Sequence, residues 1–316
     1  MMYLSCGDAL FDLFGAKESE DIAAIDLSGR VGGSPLNVAL GIARLGHSAG
    51  FFTKISSDVF GKRLAGFMDQ EKIDRRYSIP TDRHTTLAIV SLDVTGTAVY
   101  DFYIEGTADR SIEPTELPEN LDDVVGIHLA SYATVTEPTA SALSTLAERE
   151  STTKFISYDP NIRLSIEPDV EVWREKVRQL VPHATLVKAS EEDLEMLYPG
   201  RSIEDVQADW LTMGPELVVI TLGGKGAKAA SRSGLQSFEE SQRITVVDTV
   251  GAGDTFQAGL IVWLMENDRL SREGLAGCSE GELHAMLSFA MKAAAVTCSR
   301  QGADLPRRSD LGLAPL

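Results

Sequence analysis

Leu217-Val218-Val219-Ile220-Thr221-Leu222-Gly223-Gly224 is the stretch on which the fold class turns. Leu217-Val218-Val219-Ile220 is apolar at every position and leaves no polar face for water, which suits a strand covered on both sides, as in a parallel sheet flanked by helices. Working outward, similar short runs recur at Met2–Cys6, Ala49–Thr53, Val124–Leu129, Phe155–Tyr158 and Ala184–Val187. Helical patterns fall between them at Asn37–Leu45, Thr139–Glu150, Val170–Leu180 and Ser202–Thr212. This strand-helix rhythm predicts an α/β fold with a doubly wound, mostly parallel sheet flanked by helices. In such sheets ligands collect at the carboxyl ends of the strands.

One region breaks the rhythm. Thr85–Asp93 and Thr97–Glu105 are β-rich runs joined by Val94-Thr95-Gly96, which reads as an antiparallel hairpin with a glycine turn. Phe14–Val31 also lacks helical periodicity and is expected to add strands beside the hairpin. Together these pieces, roughly residues 13–31 and 85–105, are expected to form a small β lid. Without an internal repeat, low-complexity tract or linker, residues 1–316 read as a single domain with that lid. The last third is helical: Thr255–Glu266 and Leu283–Cys298 each carry apolar stripes suited to packing on the sheet.

Composition excludes several classes of function. The 29 basic and 47 acidic residues leave a formal net charge of −18, which repels nucleic acid and anionic membranes. No apolar run approaches the roughly 18 residues of a membrane span, and Met1–Asp8 lacks the pattern of a secretory signal. The three cysteines are widely spaced, which disfavours a metal cluster or disulfide framework and suits the cytoplasm. An anionic ligand would need locally arranged donors or a metal to overcome the overall field.

Such donors are offered by Asp248-Thr249-Val250-Gly251-Ala252-Gly253-Asp254, which follows a strand-like Ile244–Val247 and precedes a helix expected near Thr255. Small residues before a helix leave its first N–H groups open, and the helix terminus favours a phosphate or a developing anion. Asp254 would then be a proton acceptor beside phosphate oxygens; its other reading is a plain helix cap. A second cluster, Gly32-Gly33-Ser34-Pro35-Leu36-Asn37, precedes a helix. Asn37 there can offer donor and acceptor to hydroxyl groups, or cap that helix. A third, Thr221–Gly226, suits a nucleotide at a strand end, or a plain hairpin into Ala227–Ala230. Neither a P-loop nor a Gly-x-Gly-x-x-Gly after the first strand is present, which argues against P-loop nucleotidases and dinucleotide-binding dehydrogenases.

Taken together, the three clusters resemble the ribokinase-like carbohydrate kinases of the PfkB family. Gly32–Gly46 and Asp248–Leu260 match that family's two motifs, and the resemblance spans essentially the whole chain. Within the family the bacterial fructokinases are most similar, on Gly7–Asp12, Thr86–Asp93 and Ser157–Arg163 as well. The resemblance implies an ATP-dependent kinase acting on a sugar hydroxyl, with fructose favoured. Asp254 would be the general base, and Gly251, Ala252, Gly253 and Asp254 would form the anion hole. Asp12, Gly32, Gly33, Asn37 and Arg163 would face the sugar. Lys188, Thr221, Gly223, Gly226, Ala294 and Gly302 would face ATP.

The resemblance also implies cations. Many relatives carry Asn-x-x-Glu where this chain has Ser190-Glu191-Glu192-Asp193, so Glu192 or Asp193 would organise Mg2+. A monovalent cation such as K+ would sit against Asp248, the Val250 carbonyl and carbonyls near Arg300 and Gly302. Alternative substrates in the same class are 2-keto-3-deoxygluconate and a nucleoside or riboside. A non-catalytic sugar- or nucleotide-sensing protein is the rival of a different class, but it would be marked by a lost base or broken anion hole. The lid's apolar residues, among them Leu87, Phe102 and Tyr103, are candidates for sugar packing or for a homodimer interface.

Overall fold

Met2–Cys6 (β1) is buried at all five positions, as a strand covered on both faces must be. The computed structural model describes residues 1–15, 23–92 and 98–316. The strands that follow are Leu10–Gly15 (β2), Leu27–Gly32 (β3), Ala49–Phe52 (β4), Lys54–Ser56 (β5), Ile79–Thr81 (β6), Thr86–Leu92 (β7) and Ala98–Tyr103 (β8). Then come Val124–Ala130 (β9), Phe155–Asp159 (β10), Leu186–Ser190 (β11), Leu217–Thr221 (β12), Ala227–Ser231 (β13) and Gln236–Glu239 (β14). The helices are Ser34–Arg44 (α1), Val59–Gln70 (α2), Thr139–Glu150 (α3), Val170–Leu180 (α4) and Glu191–Leu197 (α5). Four more are Ile203–Met213 (α6), Ala252–Glu266 (α7), Arg272–Ala276 (α8) and Glu280–Cys298 (α9).

The central sheet runs β14-β13-β12-β11-β10-β9-β1-β4. Its six strands from β12 to β4 are mutually parallel, and β13 and β14 add an antiparallel edge. Alternate residues of β12 enter different cores. Leu217 and Val219 pack with α1, α7 and α9, while Val218 and Ile220 pack with α3 to α6. Each such side chain, fully buried, contributes about 1.5–3 kcal/mol.

The expected hairpin is present: β7 and β8 pair antiparallel, although its turn at Val94-Thr95-Gly96 lies outside the described residues. Of the segment 14–31, the end of β2 and most of β3 belong to the same four-stranded sheet, ordered β3-β2-β7-β8, while residues 16–22 lie outside the described residues. Because β2 starts four residues after β1 ends, this small sheet rises from the carboxyl edge of the central one.

Two local expectations are corrected. Ile244–Val247 is not a strand: it pairs with no neighbouring strand, and Val246 and Val247 are 58% and 60% exposed. A single backbone bond, from Val247 N–H to the Cys298 carbonyl, ties it down. Helix α7 also begins earlier than Thr255, at Ala252, so Asp254 lies inside its first turn.

Candidate active site

Gly251 creates the helix terminus at the centre of the site. It caps α7 with φ +77, and a Cβ there would lie 2.8 Å from the Cβ of Ala303, so both conformation and space call for glycine. The amide of Ala252 donates to the Thr249 carbonyl at 3.2 Å, and among the described residues the amides of Gly253 and Asp254 meet no protein acceptor. Of the Gly251–Asp254 turn expected to form an anion hole, the amides of Gly253 and Asp254 are open, while that of Ala252 closes the loop before it.

Asp254 is not a helix cap. Its carboxylate, 9% exposed, accepts from Ser34 Oγ at 2.7 Å and from Asn37 Nδ2 at 2.8 Å. Both donors belong to α1, whose N-cap is Gly33, so the alternative reading of Asn37 as a helix cap also falls. Gly33 has φ +113, and a Cβ there would lie 2.5 Å from the Asp8 carbonyl where the β1–β2 turn crosses α1. Burial raises the pKa of Asp254, while the two donors, Lys188 and Arg163 pull it the other way. Burial is the largest of these influences, so the pKa of Asp254 lies above the ordinary carboxylate value.

A cleft of about 710 Å³ opens in front of Asp254. On one side it is lined by Asp8, Asp12, Gly33, Phe102, Tyr132 and Arg163. Asp12 lies on β2, and burial pushes its pKa up to about 6 although Arg163 draws it down. Gly32 makes room for it, because a Cβ at that position would lie 2.3 Å from Asp12 Oδ2. Arg163 is exposed in the cleft mouth and bonds the Ile162 carbonyl; it forms no ion pair within 4.0 Å with any described carboxylate.

The other side of the cleft includes Lys188, Glu192, Thr221, Gly223 and Val250. Lys188 pairs with Asp159 at 2.7 Å, with both side chains buried. Gly226 does not line the cleft: it starts the β12–β13 hairpin at φ +125, and a Cβ there would meet the Glu239 carbonyl at 2.0 Å. Its glycine answers to backbone packing in the hairpin. Ala294 lies in the core on α9, and Gly302 reaches the site region only through its amide, which donates to Asp248 at 2.8 Å.

For cations the geometry is uneven. Asp193 is buried, with Oδ1 accepting from Ile162 N–H and Oδ2 from both Ser190 N–H and Ser190 Oγ. These bonds build a capping box on α5, so Asp193 has its oxygens occupied by protein donors. Glu192 is exposed to the cleft and makes no such bond. Among the described residues no group of three His, Cys, Asp or Glu stands ready to hold a metal ion. Asp248 accepts from Val250 N–H and Gly302 N–H, drawing together the two loops expected around a monovalent cation.

Asp8, Ser34 and Asp159 belong to the site without any local pattern that singles them out. Asp8 is 1% exposed, accepts from the Ser34 amide through Oδ2 and leaves Oδ1 unpartnered. Its signal was its place beside Asp12 in Gly7–Asp12, but only the fold puts it against α1.

Residues 2–310 match the pfkB family carbohydrate kinase profile. The fructokinase of Rhizobium leguminosarum bv. trifolii is 34% identical over 89% of this chain and 85% of its own length. That of Klebsiella pneumoniae is 32% identical, with 82% of each chain covered. The fructokinase of Vibrio cholerae O395, solved in a form with fructose, ADP and calcium bound, superposes with a TM-score of 0.81 at 26% identity, covering 98% of this chain and 97% of that one. A fructokinase structure from Xylella fastidiosa reaches a TM-score of 0.89 at 23% identity, over 98% of this chain and 96% of that one, a likeness of fold. The chain belongs to the pfkB family of carbohydrate kinases.

Proposed function

We propose that the protein transfers the γ-phosphate of ATP to a primary hydroxyl of fructose. The observation that carries the reading is the meeting of Asp254 with two open amides at the start of α7, inside a cleft that also holds Asp8, Asp12 and Asn37. Asp8, Asp12 and Asn37 suit the hydroxyls of a neutral sugar, and Arg163 adds a charged donor beside them. The strand-end side, with Thr221 and Gly223, suits the nucleotide. Asp254 takes the hydroxyl proton as the oxygen attacks, and the amides of Gly253 and Asp254 steady the charge on the transferring group. The small sheet acts as a lid that excludes water over the sugar.

The residues fit Mg2+ only as a companion of the nucleotide. Mg2+ keeps several waters and needs one or two carboxylates, a role open to Glu192, whereas Asp193 acts by capping α5. When bound, the ion neutralises phosphate charge. The turns at Asp248–Val250 and Gly302 suit K+, which takes carbonyl oxygen ligands. Among the described residues no helix is long and apolar enough to cross a membrane, and we place the enzyme in the cytoplasm as a homodimer through the small sheet.

The test is ATP-dependent phosphorylation of a panel containing fructose, 2-keto-3-deoxygluconate and ribosides. Fructose should be the preferred acceptor; faster turnover of another member would reassign the sugar, and tight binding without turnover would mark a sensor. Asp254→Asn should keep ATP affinity and lose roughly 10²–10⁴-fold in kcat. Near-normal turnover of that variant would remove Asp254 from its role as base.

A further inference from the structure

The β7–β8 hairpin leaves and rejoins the body of the molecule at one buried acid. Asp109 lies on the way out of β8 and is 1% exposed. Its Oδ1 accepts from Thr86 Oγ1, at the start of β7, at 2.5 Å and from Thr107 Oγ1 at 3.2 Å. Its Oδ2 accepts from the Tyr132 hydroxyl at 2.5 Å, in the turn that follows β9. The Asp109 carbonyl accepts from Thr139 Oγ1 at 2.9 Å, at the start of α3. A backbone bond from Ala108 N–H to the His84 carbonyl, at 2.8 Å, also ties the two segments of the hairpin together. One residue thus joins the way into the hairpin, the way out of it and the body of the molecule.

Among the described residues Asp109 forms no ion pair; its carboxylate is met by hydroxyls. Burial raises its pKa, while the bonds from Thr86, Tyr132 and Thr107 pull it the other way. A buried acid without a cation is costly, so stability alone is a poor reason for its presence. Its partners give a better one. Tyr132 is buried and still borders the cleft. Its ring meets that of Phe102 on β8 edge-on, with centroids 6.5 Å apart. Tyr132 therefore grips the hairpin twice, by its hydroxyl through Asp109 and by its ring through Phe102. Ser131, just before it, has φ +61, a conformation that serine holds only where its surroundings impose it. Asp8, with Oδ1 unpartnered, lies close enough for Asp109 to be the largest influence after burial raising its pKa. The network therefore stands behind the acids that face the cleft.

We propose that Asp109 is a positioning residue for the transfer reaction: by holding Tyr132 and Thr86 in one grip, it fixes the β7–β8 hairpin over the bound sugar. This rests on the reading of the protein as a sugar kinase with the small sheet as its lid. Asp109 does not line the cleft and acts through Tyr132, which does. With the grip loosened, the arrangement that covers the cleft is less populated, and the apparent affinity for sugar falls by that fraction. Water then reaches the γ-phosphate more often, and ATP is hydrolysed without sugar being phosphorylated. The nucleotide side, at Thr221 and Gly223, is left as it was.

The test compares Tyr132→Phe, Asp109→Asn and the double variant by melting temperature, by KM for fructose and for ATP, and by ADP formed per sugar phosphate. Wild-type turnover on the sugar panel checks the kinase reading separately. Each single variant should raise KM for the sugar roughly tenfold, with KM for ATP within about twofold and kcat at saturating sugar within about threefold. ADP formed should exceed sugar phosphate in both variants and match it in the wild type. A residue that served stability alone would lower the melting temperature without moving that ratio. Because both changes break one bond, the double variant should have a sugar KM no higher than the worse single variant. Sugar KM within about twofold of wild type in the folded single variants would overturn the proposal. So would effects that multiply in the double variant, or an equal rise in KM for ATP. If Asp109→Asn does not fold, Tyr132→Phe decides alone, since it keeps the ring and leaves Asp109 its two threonine donors.

Discussion

At the scale of single residues, the site is a set of buried acids whose charges are expensive unless used. Asp12 is the clearest. Its folded-state pKa is about 6, well above the ordinary carboxylate value, because burial outweighs the pull of Arg163. Below about pH 4 it is protonated in both folded and unfolded chains and carries no penalty. Between about pH 4 and 6 the unfolded chain gives up its proton first, so the folded form loses stability as pH rises, and above that window the loss is complete. Asp12→Asn should therefore raise the stability of the ligand-free protein by about 3 kcal/mol at pH 8 and by little at pH 4. Thermal unfolding at the two pH values checks this; an equal gain at both would mean that the ionised carboxylate carries no penalty. The same substitution should weaken sugar binding, since Asp12 faces the cleft.

Elements bring these residues together. Helix α1 packs on α7 closely enough that a Cβ on Gly41 would lie 2.5 Å from Ala258 Cβ. That approach puts Ser34 and Asn37 against Asp254, 220 and 217 positions away in sequence. At the start of α7 the constraint is Gly251. Gly251→Ala would force a side chain into left-handed backbone and against Ala303, at a cost of about 1 kcal/mol or more. Because that turn aims the Gly253 and Asp254 amides, kcat should fall along with melting temperature. A variant that melts lower yet turns over normally would show that the aim of these amides is not set by Gly251.

For the whole molecule, the small sheet is the piece with unsatisfied surface. Its edge strand β3 is exposed from Leu27 to Arg30. Ile25 is 74% and Tyr103 59% exposed on the same sheet region. Exposed strand edges and apolar side chains of this kind favour association with a second copy. Sedimentation equilibrium should give twice the mass of the chain, and Tyr103→Asp should shift the balance toward monomer. A wild-type protein that sediments as monomer at all concentrations would rule this interface out.

Local pattern was enough for the layered α/β fold, because a both-face-buried strand such as Leu217–Ile220 admits few architectures, and its periodicity is local. It also marked Gly32–Asn37 and Gly251–Asp254 as loops built for close approach, since glycine at a helix start is a local signature. Ile244–Val247 misled for the same reason: its apolar pattern is strand-like, but whether a partner strand lies alongside is a non-local fact. Tertiary structure alone decided the site's electrostatics. Asp193 became a cap and Gly226 a hairpin glycine once their neighbours were in place. Asp159 met Lys188, and Ser34 met Asp254, only through the stacking of β10 on β11 and of α1 on α7. Burial, and with it the pKa of every acid in the cleft, depends on what the rest of the chain places around a residue, and no window of sequence contains that.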